Sequence, residues 1–116
     1  MSAGLYKMVL EQGATFNLVV TWRNPDQTPI DLDGYTAKMQ VRPSKGSPEV
    51  IATFSTDDAT IVLGGALGTI MFDVAADDTA TLPAGAYVYD LEMRSSGGQV
   101  TRLLEGTFTI DGEVTR

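Results

Sequence analysis

Leu82-Pro-Ala-Gly-Ala-Tyr-Val-Tyr-Asp-Leu-Glu-Met93 is a tight corner followed at once by a strand. Pro83 and Gly85 stop any preceding helix and reverse the chain. From Tyr87 onward the bulky groups recur at every second position, so Tyr87, Tyr89, Leu91 and Met93 share one face of an extended segment. In two-sheet β-sandwiches, a tyrosine opening a strand after such a corner ties its hydroxyl back to the corner backbone. The stretch specifies architecture and brings no reactive group with it.

The same period of two continues outward. Between Thr15 and Arg23 it places Phe16, Leu18, Val20 and Trp22 on one face, and Asn24 to Pro29 then break the strand. A second turn, Pro29-Ile-Asp-Leu-Asp-Gly34, leads to Tyr35 and to Ala37, Met39 and Val41 alternating with Lys38, Gln40 and Arg42. Val50 to Phe54, Ile61 to Leu63 and Thr69 to Val74 read as further short strands, with Gly64 to Gly68 as a turn. Ala75 to Leu82 has helical spacing: Asp77 and Asp78 suit the first turn, and Ala76, Ala80 and Leu82 are placed to touch the core. Ser95-Ser-Gly-Gly-Gln99 is a hairpin signal, with positive φ expected at both Gly97 and Gly98, ahead of Leu103, Leu104, Phe108 and Ile110. Leu5 to Leu10 adds an edge strand. Seven or eight strands spaced roughly ten residues apart, with one helical corner, predict an all-β, immunoglobulin-like antiparallel β-sandwich.

At 116 residues the chain fits one domain, residues 1–116, with flexible ends at about 1–4 and 112–116. It reads as a complete chain made in the cytosol, with neither a signal peptide nor a membrane span. Cysteine and histidine are both missing, which removes disulfides, the commonest zinc ligand and the usual proton shuttle at neutral pH. Fifteen acidic against eight basic side chains give a net charge of −7. That balance repels phosphate backbones and anionic membranes, so neither nucleic acid nor a membrane is the expected partner.

Each site-like feature has a plainer reading. Trp22 alternates inward with Val20 and Leu18, as a core residue does. Asp31 and Asp33 before Gly34 lack the remaining ligands of a calcium loop and fit a turn. Asp57/Asp58 and Asp77/Asp78 are adjacent pairs suited to turns and helix starts. The Gly64, Gly65, Gly68 cluster lacks the lysine and helix of a phosphate loop. The residues name no catalytic, cofactor-binding or metal site and predict a chain that is not an enzyme. Contact residues are the remaining class: Arg94, Arg102 and Arg116 as carboxylate-pairing anchors, and Tyr6 and Tyr35 as the aromatics outside the expected core.

Leu10-Glu-Gln-Gly-Ala-Thr-Phe16, Thr21-Trp22-Arg23, Pro29-Ile-Asp-Leu-Asp-Gly-Tyr-Thr-Ala-Lys-Met-Gln-Val-Arg42, Tyr89-Asp-Leu-Glu92 and Val100-Thr-Arg-Leu-Leu-Glu-Gly106 together carry a resemblance. The chain resembles small immunoglobulin-like virion proteins of tailed bacteriophages and is similar to the N-terminal domain of the phage baseplate upper protein, from about Leu10 to Arg116. The resemblance implies a structural protein made in the host cytoplasm and located in the virion, an adaptor at the baseplate, collar or fibre attachment of the tail. Its partners would be other virion proteins, with a homo-oligomer in the assembled particle, and it implies no catalytic residues or cofactors. The chain stops where the baseplate protein continues into a receptor-side extension, which implies a free-standing module. A head decoration protein and a receptor- or carbohydrate-binding module are the competing readings.

Overall fold

The structure, a computed structural model, describes residues 4–114. Its strands are β1 (Gly4–Leu5), β2 (Met8–Glu11), β3 (Phe16–Thr21), β4 (Thr36–Arg42), β5 (Ala52–Ser55), β6 (Ile61–Leu63), β7 (Thr69–Val74), β8 (Gly85–Arg94) and β9 (Val100–Asp111). One short helix, α1 (Ala76–Thr79), links β7 to the corner before β8, and a single 3-10 turn, Gly65–Leu67, precedes β7. They form two sheets: β9, β8, β4 and β5 with β1 and β2 both on the free side of β9, and a smaller one in the order β3-β7-β6.

The alternation along each strand sets which side chains fill the gap between the sheets. Ala37, Met39 and Val41 of β4, Tyr89, Leu91 and Met93 of β8, and Ile70, Phe72 and Val74 of β7 are all buried. All four phenylalanines of the chain, Phe16, Phe54, Phe72 and Phe108, converge from β3, β5, β7 and β9 with neighbouring ring centroids 6.0 to 6.4 Å apart. Tilted and edge-on ring contacts at this spacing add to the area they bury. This cluster joins the sheets in a chain that has no cysteine for a disulfide.

The corner behaves as its sequence demands. The Tyr87 hydroxyl donates to the Pro83 carbonyl at 2.9 Å, with Ala84 O at 3.3 Å. Two residues on, the Tyr89 hydroxyl donates to the Tyr6 carbonyl and so ties β8 to the break between β1 and β2. Gly106 lies opposite Tyr89 across β8 and β9; at φ +154° it has no Cβ to collide with Tyr6 O, which a side chain there would meet at 2.6 Å.

Several local expectations are revised. The edge formed by β1 and β2 is parallel to β9, with Gly4 opposite Leu104 and Glu11 opposite Asp111, so the sandwich is not wholly antiparallel. Gly4 is therefore strand-paired, while residues 1–3 and 115–116 of the expected flexible ends lie outside the described residues. In α1 the core contact is Thr79, fully buried, whereas Ala80 is exposed. The Thr79 hydroxyl donates within reach of Ala14 O (2.8 Å) and Ala76 O (3.0 Å) and accepts from the Gly13 amide, satisfying a polar group that spacing alone would not place inside. In the turn joining β8 to β9, Gly98 has positive φ (+90°) and Gly97 does not, because Gly98 N–H closes a turn onto Ser95 O and Gly97 needs no left-handed geometry. Trp22 lies just past β3, half-buried, packed against the core with its ring edge-on to Tyr35 at 5.9 Å.

Candidate functional site

Side chains that face away from the core on β4, β8 and β9 gather on one surface because these three strands are neighbours. Lys38, Gln40 and Arg42 come from β4, and Val88, Asp90, Glu92 and Arg94 from β8. On β9 strict alternation from Phe108 and Leu104 would turn Arg102 into the core. The register changes between Leu91↔Leu104 and Glu92↔Arg102, leaving Leu103 as an extra residue, and this bulge swings Arg102 outward beside Glu105.

The result is a shallow concavity of about 410 Å³ lined by Lys38, Gln40, Arg42, Lys45, Asp90, Glu92, Arg102 and Glu105, among others. Arg102 Nε is 3.4 Å from Asp90 Oδ2 and its Nη1 3.7 Å from Glu105 Oε1, while Lys45 Nζ is 3.9 Å from the other Glu105 oxygen. Pairs this long and this exposed add less than about 1 kcal/mol each to the fold. Arg42 bridges Gln40 Oε1 at 2.8 Å and Ser47 O at 2.7 Å, which holds the loop after β4 against the sheet. Lys38, Glu92 and Arg94 make no ion pair among the described residues. With Arg94 and its neighbour Asp57 included, five of the chain's eight basic side chains (Lys38, Arg42, Lys45, Arg94, Arg102) share this face with four of its fifteen acidic ones (Asp57, Asp90, Glu92, Glu105). A chain of net charge −7 thus keeps one face whose own balance is slightly positive.

The residues singled out in the sequence distribute unevenly. Arg94 and Arg102 both stand exposed on this face, at the hairpin end of β8 and β9. Arg116 lies outside the described residues. Tyr6, 42% exposed, sits in the break between β1 and β2, its amide bonded to Glu105 O. Tyr35 is half-buried against Trp22, so the two tyrosines do not form a common platform. Lys38, Arg42, Lys45, Asp90, Glu92 and Glu105 were not singled out, although the outward parity of Lys38, Arg42, Asp90 and Glu92 is visible once the strands are paired.

Two of the carboxylates considered for a metal or acid–base role, Asp31 and Asp58, close turns, and Asp77 and Asp78 lie in the first turn of α1. Asp31 accepts from the Asp33 amide, and Asp58 accepts from both the amide and the hydroxyl of Thr60. The Thr60 hydroxyl, with smaller help from its amide, holds the Asp58 carboxyl below the usual carboxylate range against a small opposing effect of burial. Asp26 is lowered in the same way by Thr28. No three His, Cys, Asp or Glu side chains converge as a metal site would require among the described residues. Burial pushes the Tyr89 phenol up to about 12, with Tyr6 adding to the shift.

A second surface is apolar. On the outer face of the small sheet Val19, Met71 and Val62 are direct cross-strand neighbours, 58%, 38% and 42% exposed, with Asn17 and Asp73 on one side of the row and Thr21 and Thr69 on the other. Along the flank, an open groove of about 370 Å³ runs between β2 and β3 and is lined by Tyr6, Met8, Val9, Phe16 and Leu18 among others.

No protein-family model and no curated protein matches the chain in sequence. Among solved structures it is similar to a chicken TCR, with a TM-score of 0.54 at 14% identity over 96% of this chain and 56% of that one, so it spans about half the length of that relative. CopC from Methylosinus trichosporium OB3b superposes with a TM-score of 0.45 at 12% identity, over 99% of this chain and 90% of that one. The extracellular domain of the voltage-gated sodium channel beta4 subunit does so with 0.40 at 9% identity, over 98% and 97%. Two stacked sheets, the tyrosine corner, the edge strand paired with β9 and the likeness to the TCR together establish an immunoglobulin-like β-sandwich.

Proposed function

We propose that this immunoglobulin-like domain is a protein-docking module of a tailed-phage particle, an adaptor at the tail that holds other virion proteins through the outer face of β4, β8 and β9. The observation that carries the docking surface is the concentration of five basic side chains, three of them without an ion pair among the described residues, on one face of an acidic chain. Such a face attracts a partner's carboxylates while the rest of the surface repels further acidic neighbours, which favours one orientation of docking. Arginines aligned on adjacent strands suit bidentate pairing with carboxylates. The virion setting is supported by the sequence resemblance, and it makes weak single contacts sufficient, because an assembly presents many copies at once.

The test is incorporation. Arg102→Gln combined with Lys38→Gln removes two exposed charges without setting like charges opposite Glu92, so the protein should fold and melt within about 1 to 2 kcal/mol of the parent and yet fail to join particles when it replaces the parent during phage growth. Unchanged incorporation, or absence of the parent protein from purified particles, would refute the proposal. Copy number separates tail from head: a small symmetric ring at the tail, or on the order of hundreds of copies for a decoration of the capsid lattice.

A further inference from the structure

Among the described residues, strand β3 has a partner on one side only. It pairs with β7 through its even-numbered residues, as the bond from the Trp22 amide to Gly68 O shows for the line just past its end. Hydrogen bonding alternates sides along an antiparallel strand, so Asn17, Val19 and Thr21 direct their N–H and C=O groups to the open edge. No hydrogen bond is made there among the described residues.

Native sheets guard such edges with charge, proline, bulges or brevity. The other edges of this sandwich follow that rule: β2 ends in Glu11 and is separated from β1 by Tyr6-Lys7, β5 has four residues, and β6 has three. Phe16-Asn-Leu-Val-Val-Thr21 has six residues, no charge, no proline and no glycine.

We propose that this edge pairs with β3 of a second copy, antiparallel across a two-fold axis at Val19, to make a continuous six-stranded sheet in the order β6-β7-β3-β3-β7-β6. The register is self-selecting. With Val19 opposite the partner's Val19, Asn17 faces the partner's Thr21 and the three outward-directed residues become three hydrogen-bonded pairs. Such pairs exchange both bonds, giving six bonds from groups that have no partner among the described residues of the single domain.

The same register joins the row Val62–Met71–Val19 end to end with its copy, so the apolar stripe runs unbroken across the junction. Electrostatics permits it despite the net charge of −7. The one charge on the outer face of β3 and β7 is Asp73, beside Asn17. In this register the two Asp73 residues lie about four residues apart along the strands and three strand spacings across, roughly 20 Å, which exceeds the Debye length of about 8 Å at physiological salt.

This contact supplies a specific interface for the oligomer of the docking reading, and its test uses the isolated protein, so either can fail without the other. Sedimentation equilibrium over a concentration series should show a monomer–dimer equilibrium. Val19→Lys changes an exposed side chain, leaves the melting of the monomer unchanged and sets like charges opposite each other, raising the dissociation constant about tenfold or more.

Cysteine placement reads the register directly, since the chain has no cysteine of its own. Opposed Cα atoms about 5.5 Å apart fall within disulfide reach. Val19→Cys should cross-link to itself under mild oxidation. Asn17→Cys should cross-link with Thr21→Cys in a mixture and not with itself. A protein that stays monomeric at all concentrations, a dimer indifferent to Val19→Lys, or a cross-link pattern of another register would each overturn the proposal; strict monomers would assign the edge to an extended segment of a different chain.

Discussion

Replacing Phe72 by alanine tests whether the ring cluster holds the two sheets together. Phe72 is fully buried in the centre of β7, 6.0 Å from the Phe16 ring and 6.4 Å from Phe54, the latter at an interplanar angle of 85°. Truncating a buried phenylalanine costs about 3 to 5 kcal/mol, the spread reflecting how far the surroundings collapse. Here collapse is restricted, because β7 is hydrogen-bonded on both sides, to β3 and to β6, and Phe72 lies between Leu18 and Ile61 in that register. The upper half of the range, about 4 to 5 kcal/mol, is therefore expected, out of a total stability of roughly 6 to 17 kcal/mol for a domain of this length. At about 3 to 6 °C per kcal/mol the melting temperature should fall by roughly 12 to 30 °C. Phe72→Leu keeps most of the volume and should cost about 1.5 kcal/mol or less. Urea unfolding followed by circular dichroism and tryptophan fluorescence measures both variants. A loss under about 1.5 kcal/mol for the alanine variant, or equal losses for the two, would show that the cluster does not bear the inter-sheet packing.

Two further predictions concern single positions. The Tyr89 phenol is held protonated in the fold, its pKa raised from 10.0 to about 12, so its contribution is fully present below pH 10 and is lost as the pH rises toward 12. Titration at 295 nm should show a late phenol ionisation that disappears in Tyr89→Phe, and the same substitution should remove part of the fall in urea midpoint over that window; a late ionisation that survives the substitution, or none in the parent, would contradict this. At the β8–β9 hairpin, Gly98→Ala should lose about 1 kcal/mol through its φ of +90°, while Gly97→Ala, with ordinary φ, should be nearly neutral. Equal melting shifts for the two glycines would mean that the turn is not the one described.

Strand identity was readable wherever apolar groups alternated without interruption. β4 and β8 each carry three buried groups at every second position, and the Tyr87 corner closes with the bond its sequence calls for. Partner choice was not readable, because the period of two states which side chains face inward and nothing about which strand lies alongside. The docking face depends on that missing information: Lys38, Asp90 and Arg102 are far apart in sequence and meet only because β4, β8 and β9 are neighbours. Arg102 was singled out for its charge, but the bulge at Leu103 that turns it outward was not readable, since strict alternation assigns that residue to the core. Thr79 was missed because burial of a hydroxyl depends on acceptors from a distant loop, here Ala14 O, that helical spacing cannot reveal.

The parallel pairing of β2 with β9 decides how the domain answers to force. Two strands that run side by side in the same direction, one near the start of the chain and the other near its end, place the points where tension would enter at opposite ends of their shared seam. A pull on the flanking chain slides these strands past each other and loads the bonds from Met8↔Phe108 to Glu11↔Asp111 together, whereas a hairpin pulled from its open end would lose its bonds singly, in succession. The domain is thus wired to resist stretching along its length, a mechanical property suited to any module that must stay folded while its neighbours tug on it.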